Sequence, residues 1–275
     1  MGLQLQTTSH SVNIKERLDF SCAVFEADGS LIANAPHIPV HLGSMGESVK
    51  SLIAARAEQL QPGDVYAMNN PFDGGTHLPD ITVITPVFAA DAEQGRRILF
   101  FVASRGHHAD IGGITPGSMP ANSTRLDQEG VVIDHFLLVH EGKFRERETT
   151  QLLNGGPYPA RNPPQNIADL KAQVAANVRG AQSLLKLVSD YGFETVSAYM
   201  RFVRANAASA VREKIGALKN GSFSCAMDDG SSITVSVAVN AETQSAVVDF
   251  QGTSAQVASN LNAPRSICRA AVMYV

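Results

Sequence analysis

Five of the eight histidines lie in three short stretches shaped by glycine or proline, and this clustering constrains the fold more than any other feature. The stretches are 36–41, 74–80 and 105–113. Runs of strand-forming residues border the second and third of them. Loops at strand ends are where a rigid sheet holds functional side chains. The pattern predicts a β-rich part whose loops bring His and Asp side chains together.

Hydrophobic periodicity predicts an α/β chain of the mixed α+β kind. The predicted strands are 20–25, 30–33, 65–68, 81–88, 98–104, 131–139, 233–239 and 245–250. The predicted helices are 44–60, which Ser44 would cap, and a long antiparallel pair at 166–188 and 194–218. We expect residues 1–160 to form the mixed part with the site loops. Residues 161–275 would then hold the helix pair and the last short strands.

Composition argues against several classes of function. A net charge of -4 and the absence of tryptophan give no electrostatic or stacking surface for nucleic acid. No run reaches the ~18 apolar residues that a membrane span needs, and the first residues lack the pattern of a signal peptide. The three cysteines lie far apart in sequence, which is typical of reduced thiols. We therefore expect a cytoplasmic protein.

Low charge and the chain ends both suggest a larger assembly. Only 17% of the residues are charged, which favours a surface partly covered by a partner subunit or a second copy. The chain starts without a helix cap, and residues 268–275 rise into an apolar helical pattern without a stop signal. We expect a fragment of something longer that forms a homo-oligomer or a hetero-oligomer.

The Thr-His-Leu-Pro-Asp turn at 76–80 places an imidazole and a carboxylate three residues apart. Pro79 excludes an ordinary helix there, so both side chains can face one point. His77 and Asp80 are therefore candidate ligands of a divalent metal, for which such nitrogens and oxygens are usual donors. The alternative is that His77 closes a strand end and Asp80 caps backbone amides.

A second His/Asp group directly follows the predicted strand 98–104. His107 and His108 are neighbours, and neighbouring side chains on an extended backbone point to opposite faces. We expect His107 to reach the metal, and His108 to lie behind it or to contact substrate. Asp110 could orient a histidine, bind the metal or cap the Gly-Gly turn after it.

His37 and His41 flank a proline just before the predicted helix 44–60. Backbone amides at a helix N-terminus favour anions, so His41 is a candidate for acid/base catalysis or anion contact. A structural histidine with satisfied hydrogen bonds is an equally good interpretation of this position.

Several longer motifs together resemble one known family. They lie at 13–22, 35–43, 76–80, 104–120, 169–177 and 260–265. Through them the chain resembles the hydantoinase B/oxoprolinase family over essentially its whole length, and it looks like the N-terminal part of a longer family domain. Within the family it is most similar to the enzymes that act on 5-oxo-L-proline.

The resemblance implies a partner and a metal. In this family a hydantoinase A-type domain or subunit binds ATP with Mg and phosphorylates a cyclic amide, and the B-type domain opens the ring. The present chain has no phosphate-binding loop of its own. In the related acetone carboxylases a His-x-x-Asp pair and a later histidine hold a divalent metal, which here implies His77, Asp80 and His107. The donor set suits Mn, Zn or Fe.

The implied reaction is the ATP-dependent hydrolysis of 5-oxo-L-proline to L-glutamate. The candidate catalytic groups are the imidazoles of His41 and His108, the carboxyl of Asp110, the guanidinium of Arg105 and the Gly112-Gly113 amides. The imidazoles would transfer protons, and the guanidinium or the amides would stabilise developing negative charge. Two alternatives stay open: a hydantoinase or acetone carboxylase-like subunit with another carbonyl substrate, and a non-catalytic scaffold that docks the ATP-binding domain.

Overall fold

The computed structural model describes residues 1–35, 38–89 and 96–275. The described chain divides into two compact units, Met1–Leu187 with Ser259–Val275 and Val188–Ala258. The predicted site residue His37 lies outside the described residues. The division near residue 160 that the sequence suggests stays a prediction.

An antiparallel sheet of seven strands forms the centre of the larger unit in the part of the chain that is described. Its strands are β1 (Phe20–Glu26), β2 (Leu31–Ala35), β3 (Val65–Met68), β4 (Asp80–Phe88), β5 (Ile98–His107), β6 (Phe136–His140) and β7 (Lys143–Phe144). Their order across the sheet is β2-β1-β5-β4-β3-β6-β7. Strands β4 and β5 are buried along most of their length, as expected where both faces of a sheet are covered.

Helices supply that cover. They are α1 (Gly2–Thr8), α2 (Val12–Lys15), α3 (Pro39–Arg56), α4 (Glu146–Leu153), α5 (Pro163–Tyr191), α6 (Phe193–Ala217) and α7 (Arg265–Tyr274). All of them except α6 belong wholly or mainly to the larger unit. None of these described helices combines the length and the apolar character that crossing a membrane requires.

The two faces of the large sheet bury different sets of apolar side chains. Met45 and Val49 of α3 pack in one cluster with Phe101 of β5. Leu170 of α5 packs in a separate cluster with Val83 of β4. Because successive strand residues point to opposite faces, each side chain of the sheet faces either α3 or α5.

Helix α5 also contacts the sheet through buried amides. Gln173 donates from Nε2 to the carbonyl oxygens of Ile81 at 2.9 Å and Ser104 at 3.1 Å. Asn177 donates from Nδ2 to the carbonyl oxygen of Val83 at 2.9 Å. Buried polar groups destabilise a fold unless they are hydrogen-bonded, so these contacts fix the position of α5 as well as its packing.

The smaller unit contains α6 and an antiparallel sheet of three described strands. The strands are β8 (Gly221–Ala226), β9 (Ser232–Asn240) and β10 (Ser245–Asp249), in the order β10-β9-β8. The predicted strands 233–239 and 245–250 are confirmed as β9 and β10. Strand β8 was not predicted, because glycine and serine give it little intrinsic β-propensity.

The mixed α+β class and the two long helices are confirmed. The predicted helix 44–60 begins earlier, at Pro39, since proline suits the first turn of a helix. Ser44 is therefore not its cap, and its hydroxyl instead donates to the carbonyl oxygen of Val40 at 2.6 Å.

The predicted strand 131–139 begins only at Phe136. The side chain of Asn69 occupies the backbone groups before it. Its Nδ2 donates to the carbonyl oxygen of Val131 at 2.9 Å, and its Oδ1 accepts from the amide of Ile133 at 2.7 Å. A side chain thus takes the place of a neighbouring strand, which sequence periodicity does not reveal.

Gly43 lies where α3 and α7 approach most closely. A Cβ at this position would lie 2.8 Å from the Cα and the amide nitrogen of Ala270, which is closer than packed atoms tolerate. We expect Gly43→Ala to lower the free energy of unfolding by about 1–3 kcal/mol, the usual cost of overpacking. Urea denaturation measures this change.

Gly46, three residues further along α3, provides the matched control. A Cβ there would meet no atom closer than 3.9 Å. Gly46→Ala should be neutral or stabilising by up to about 1 kcal/mol, because alanine is the better helix former. Equal stabilities of the two variants would contradict the close contact between α3 and α7.

Candidate metal centre

Asp80 is the residue on which the other side chains of this site converge. It is the first residue of β4, and its side chain is 1% exposed. Its carboxylate lies 3.0 Å from His41 Nε2, 3.0 Å from Thr76 Oγ1 and 3.0 Å from His107 Nδ1. His107 ends β5 directly opposite Asp80 in the antiparallel register, which brings the two side chains together.

His77 reaches the same carboxylate from the loop before β4. Its Nδ1 lies 3.4 Å from Asp80 Oδ2, and its ring centroid lies 5.1 Å from that of His107. One donor atom from each of these three residues lies within 4.8 Å of the other two. The side chain of His77 is 36% exposed and that of His107 is 15% exposed. The group is therefore open on the side of the histidines.

This donor set fits a divalent cation. It offers two imidazole nitrogens and one carboxylate oxygen, and their mutual distances suit ligands of a single ion. Within residues 1–35, 38–89 and 96–275, it is the only cluster of His, Cys, Asp or Glu with this property. The chemistry of the set suits Zn, Mn and Fe alike.

Burial and hydrogen bonding set the protonation of the group. Burial alone would raise the pKa of Asp80, but hydrogen bonds from His107 and His41 outweigh it and hold that pKa well below its usual value. Burial lowers the pKa of His77, which favours the neutral imidazole that binds metals. Burial would also lower the pKa of His107, but the hydrogen bond and charge of Asp80 raise it.

His41, a predicted proton-transfer residue, lies behind the carboxylate. It sits in the first turn of α3 and is 1% exposed. Its Nε2 contacts Asp80, and its Nδ1 lies 3.0 Å from the hydroxyl oxygen of Ser21. With both ring nitrogens engaged, His41 contacts Asp80 and does not face the open side of the site.

Arg105, predicted to stabilise developing charge, lies fully buried under the site. Its guanidinium donates to the hydroxyls of Thr82 at 2.7 Å, Ser48 at 2.8 Å and Ser44 at 2.5 Å. Burial lowers its pKa to about 10, which leaves it charged at neutral pH. It connects β5 with β4 and α3 and places a positive charge near Asp80, without a path to a substrate.

His108 lies on the other face of the sheet from His107, as the alternation of strand side chains predicts. It is fully buried, and burial lowers its pKa. Its Nε2 lies 3.1 Å from Gln173 Oε1, and its Nδ1 lies 3.1 Å from Asn166 Nδ2. These contacts attach the end of β5 to α5 and leave His108 away from the metal ligands.

Asp110 and the Gly112-Gly113 amides form a closed loop. Asp110 Oδ2 lies 2.7 Å from Arg161 Nη1, and Asp110 Oδ1 accepts from the amide of Gly112 at 2.9 Å. The amide of Gly113 donates to the carbonyl oxygen of Tyr158 at 3.1 Å. Both amides are engaged within the loop, so neither is free to stabilise charge on a substrate.

Asp19 joins the site although its sequence context did not single it out. Its side chain is 34% exposed, and its Oδ2 lies 3.8 Å from His107 Nδ1. Its carbonyl oxygen accepts from the amide of His107 at 3.0 Å. Leu18 before it has a left-handed backbone with φ of 58°, a strained conformation of the kind that clusters at functional sites. In the sequence, Asp19 belongs to a run of charges that reads as a solvated face.

Comparison with known proteins assigns the chain to a family. The Hydantoinase B/oxoprolinase family matches residues 1–275. The chain belongs to the hydantoinase B/oxoprolinase family. Its relatives within that family include 5-oxoprolinase 1 of Arabidopsis thaliana, 46% identical over 301 residues, which cover 100% of this chain and 23% of that protein. The 5-oxoprolinase of Saccharomyces cerevisiae is 46% identical over 286 residues, and this chain spans 22% of its length.

Two solved structures share the fold of this family member. One is ATP-dependent caprolactamase from Pseudomonas jessenii, with a TM-score of 0.84 and 25% identity over 98% of this chain and 46% of that chain. The other is a nucleotide-free acetone carboxylase, with a TM-score of 0.83 and 16% identity over 99% of this chain and 38% of that chain. The second likeness concerns the fold alone.

Asp110 gives a pH test of the closed loop. Burial alone would raise its pKa, but hydrogen bonds from Arg161, Gly112 and Gly117 outweigh it and hold the pKa below its usual value of 3.8. Such a carboxyl stabilises the fold above pH 3.8 and loses that contribution as the pH falls through the lowered value. We expect Asp110→Asn to cost about 1–3 kcal/mol of unfolding free energy at pH 7.

Urea denaturation of wild type and Asp110→Asn between pH 7 and pH 3 measures the effect, which should shrink towards the acid end. Asp127→Asn is the control, because its exposed pair with Arg125 should add little to stability at any pH. A stability difference for Asp110→Asn that stays constant over this range would contradict the role of its charge.

Proposed function

We propose that this chain supplies the ring-opening half of an ATP-dependent cyclic-amide hydrolase that converts 5-oxo-L-proline to L-glutamate. The observation that carries the proposal is the open group of His77, Asp80 and His107, whose donor atoms lie within 4.8 Å of one another. The 46% identity to two 5-oxoprolinases supports the choice of substrate.

His77, Asp80 and His107 would hold one divalent cation, of Zn, Mn or Fe. When bound, such a cation supplies Lewis acidity beside the reacting carbon and lowers the pKa of water. The neutral form of His77 and the ionised form of Asp80 suit this role. The open side of the group is where a substrate can approach.

The chain's own residues act on an activated amide, because an unactivated amide is a poor electrophile. Phosphorylation of the amide oxygen gives an imidate-like carbon. Water adds to that carbon, and the ring C–N bond breaks as the nitrogen takes a proton. A second water then releases phosphate from the acyl phosphate. Asp19, with a partly exposed carboxylate beside His107, is placed to accept a proton from the attacking water.

The ATP-dependent step is assigned to a hydantoinase A-type domain or subunit that binds ATP with Mg. The sequence of this chain lacks a phosphate-binding loop, and the chain spans only 22% to 23% of the two 5-oxoprolinases. The similar caprolactamase is described as ATP-dependent. An assembly with this partner, as a homo-oligomer or hetero-oligomer in the cytoplasm, is part of the proposal.

Hydantoin hydrolysis is a second candidate function. The B subunit of a D-/L-hydantoinase from Pseudomonas sp. is 27% identical over 272 residues, which cover 94% of this chain and 44% of that protein. Turnover of 5-oxoproline and of hydantoins in the presence of the ATP-binding partner distinguishes the two. A non-catalytic scaffold would have no need of the metal ligands, so stoichiometric metal in the purified chain argues against that alternative.

The substrate assignment can be tested with two variants in the complete enzyme. His77→Ala and Asp80→Ala should lower the rate of glutamate formation from 5-oxoproline by a factor of at least ~100, because each removes a donor of the cation. Binding of ATP should be unchanged, since its site lies in the partner. Glutamate release and nucleotide binding are the two measurements.

His140→Ala is the control for these variants. His140 also pairs with a carboxylate, its Nδ1 lying 3.0 Å from Asp64 Oδ1, but it is 52% exposed and lies outside the metal ligands. It should retain turnover. Normal hydrolysis of 5-oxoproline by both His77→Ala and Asp80→Ala would refute the assignment of the metal centre to catalysis.

A further inference from the structure

A buried chain of hydrogen bonds leads away from Asp80 on the side opposite the open histidines. Asp80 Oδ2 lies 3.0 Å from His41 Nε2, and His41 Nδ1 lies 3.0 Å from Ser21 Oγ. The amide of Ile38 in turn donates to Ser21 Oγ at 3.2 Å. Ser21 is 0% exposed and His41 is 1% exposed. A substrate reaches neither, so the chain is neither a nucleophile nor a proton shuttle to solvent.

Only one arrangement of hydrogens satisfies this chain. A carboxylate can only accept, so His41 must carry its proton on Nε2 and donate it to Asp80. The other ring nitrogen, Nδ1, is then an acceptor, and the hydroxyl of Ser21 must donate to it. The hydroxyl oxygen of Ser21 remains free to accept from the amide of Ile38, which it does. Ser21 thus fixes both the tautomer and the orientation of His41.

The consequence for Asp80 is a division of labour between its two oxygens. Oδ2 accepts from His41 Nε2 and from Thr76 Oγ1, both at 3.0 Å. Oδ1 lies 3.0 Å from His107 Nδ1 on the open side. Holding one oxygen by two donors stops rotation of the carboxylate. The other oxygen is then presented to the place where the two open histidines converge.

The sheet explains why these donors meet. Ser21 of β1 and Thr82 of β4 both lie opposite Arg105 of β5 in the strand register. Residues in one such row share a face of the sheet, and Arg105 uses that face to bind Ser44 of α3. The same row therefore anchors α3 at two points, through Arg105 and through the contact of Ser21 with His41.

We propose that His41, oriented by Ser21, is a positioning residue that holds the Asp80 carboxylate for the cation. This inference rests on the metal centre of the proposed function and concerns a contact outside its three ligands. Partners that orient a metal ligand in this way change metal affinity by about 10-fold to 100-fold when they are removed.

The test is the affinity of the purified chain for Co²⁺, measured by competition with a chelating dye, together with the visible spectrum of the bound ion. We expect His41→Ala to weaken Co²⁺ binding by about 10-fold to 100-fold and to alter the spectrum. His41→Gln keeps an N–H donor at the position of Nε2 and should retain most of the affinity. Ser21→Ala should fall between wild type and His41→Ala.

His140→Ala is the matched control, because it breaks a comparable contact to Asp64 elsewhere on the sheet. It should leave affinity and spectrum unchanged, whereas His77→Ala should abolish tight binding. Circular dichroism checks the fold of each variant. If His41→Ala does not fold, Ser21→Ala and His41→Gln still decide the outcome.

The possible failures are distinct. Wild-type affinity and spectrum in both His41→Ala and Ser21→Ala, with loss of binding in His77→Ala, would overturn the positioning role alone. No tight binding by the wild type would overturn the metal centre and this inference together. The expected affinities without any hydrolysis of 5-oxoproline in the complete enzyme would support the positioning role and refute only the proposed function.

Discussion

The buried charge of Asp80 is the constraint on which the rest of the site depends. A carboxylate that is 1% exposed is costly unless hydrogen bonds and opposite charge compensate it. His41, Thr76 and His107 donate to it or lie within 3.0 Å, and the Arg105 cation lies beneath the same end of the sheet. These groups come from different elements, so compensating one charge fixes α3, β5 and the loop before β4 relative to one another.

The same polar logic extends through the sheet to both helical layers. On one face, Arg105 binds hydroxyls of α3, and on the other face Gln173 of α5 binds sheet carbonyls and His108. The neighbours His107 and His108 thereby face different layers and have different tasks. The ligands lie at the open edge of a frame whose polar contacts are nearly all buried, and this keeps them in place without a bound substrate.

The sequence predicts the local part of this arrangement and misses the part that depends on strand order. The spacing of His77 and Asp80 and the alternation of His107 and His108 follow from backbone geometry alone, and both agree with the structure. The position of Asp19 depends on the pairing of β1 with β5, and the burial of His41 and Arg105 depends on the packing of α3. Such long-range contacts leave no periodic pattern in one sequence, so a charged or imidazole side chain there looks catalytic.

The central claim is that His77, Asp80 and His107 share one divalent cation. X-ray absorption spectroscopy of the purified chain loaded with one equivalent of Zn²⁺ tests it most directly. The account predicts a nearest shell with two imidazole nitrogens and carboxylate oxygen, and loss of one imidazole in His107→Ala while His108→Ala keeps both. A shell of oxygen atoms only, or one that His107→Ala leaves unchanged, would contradict it.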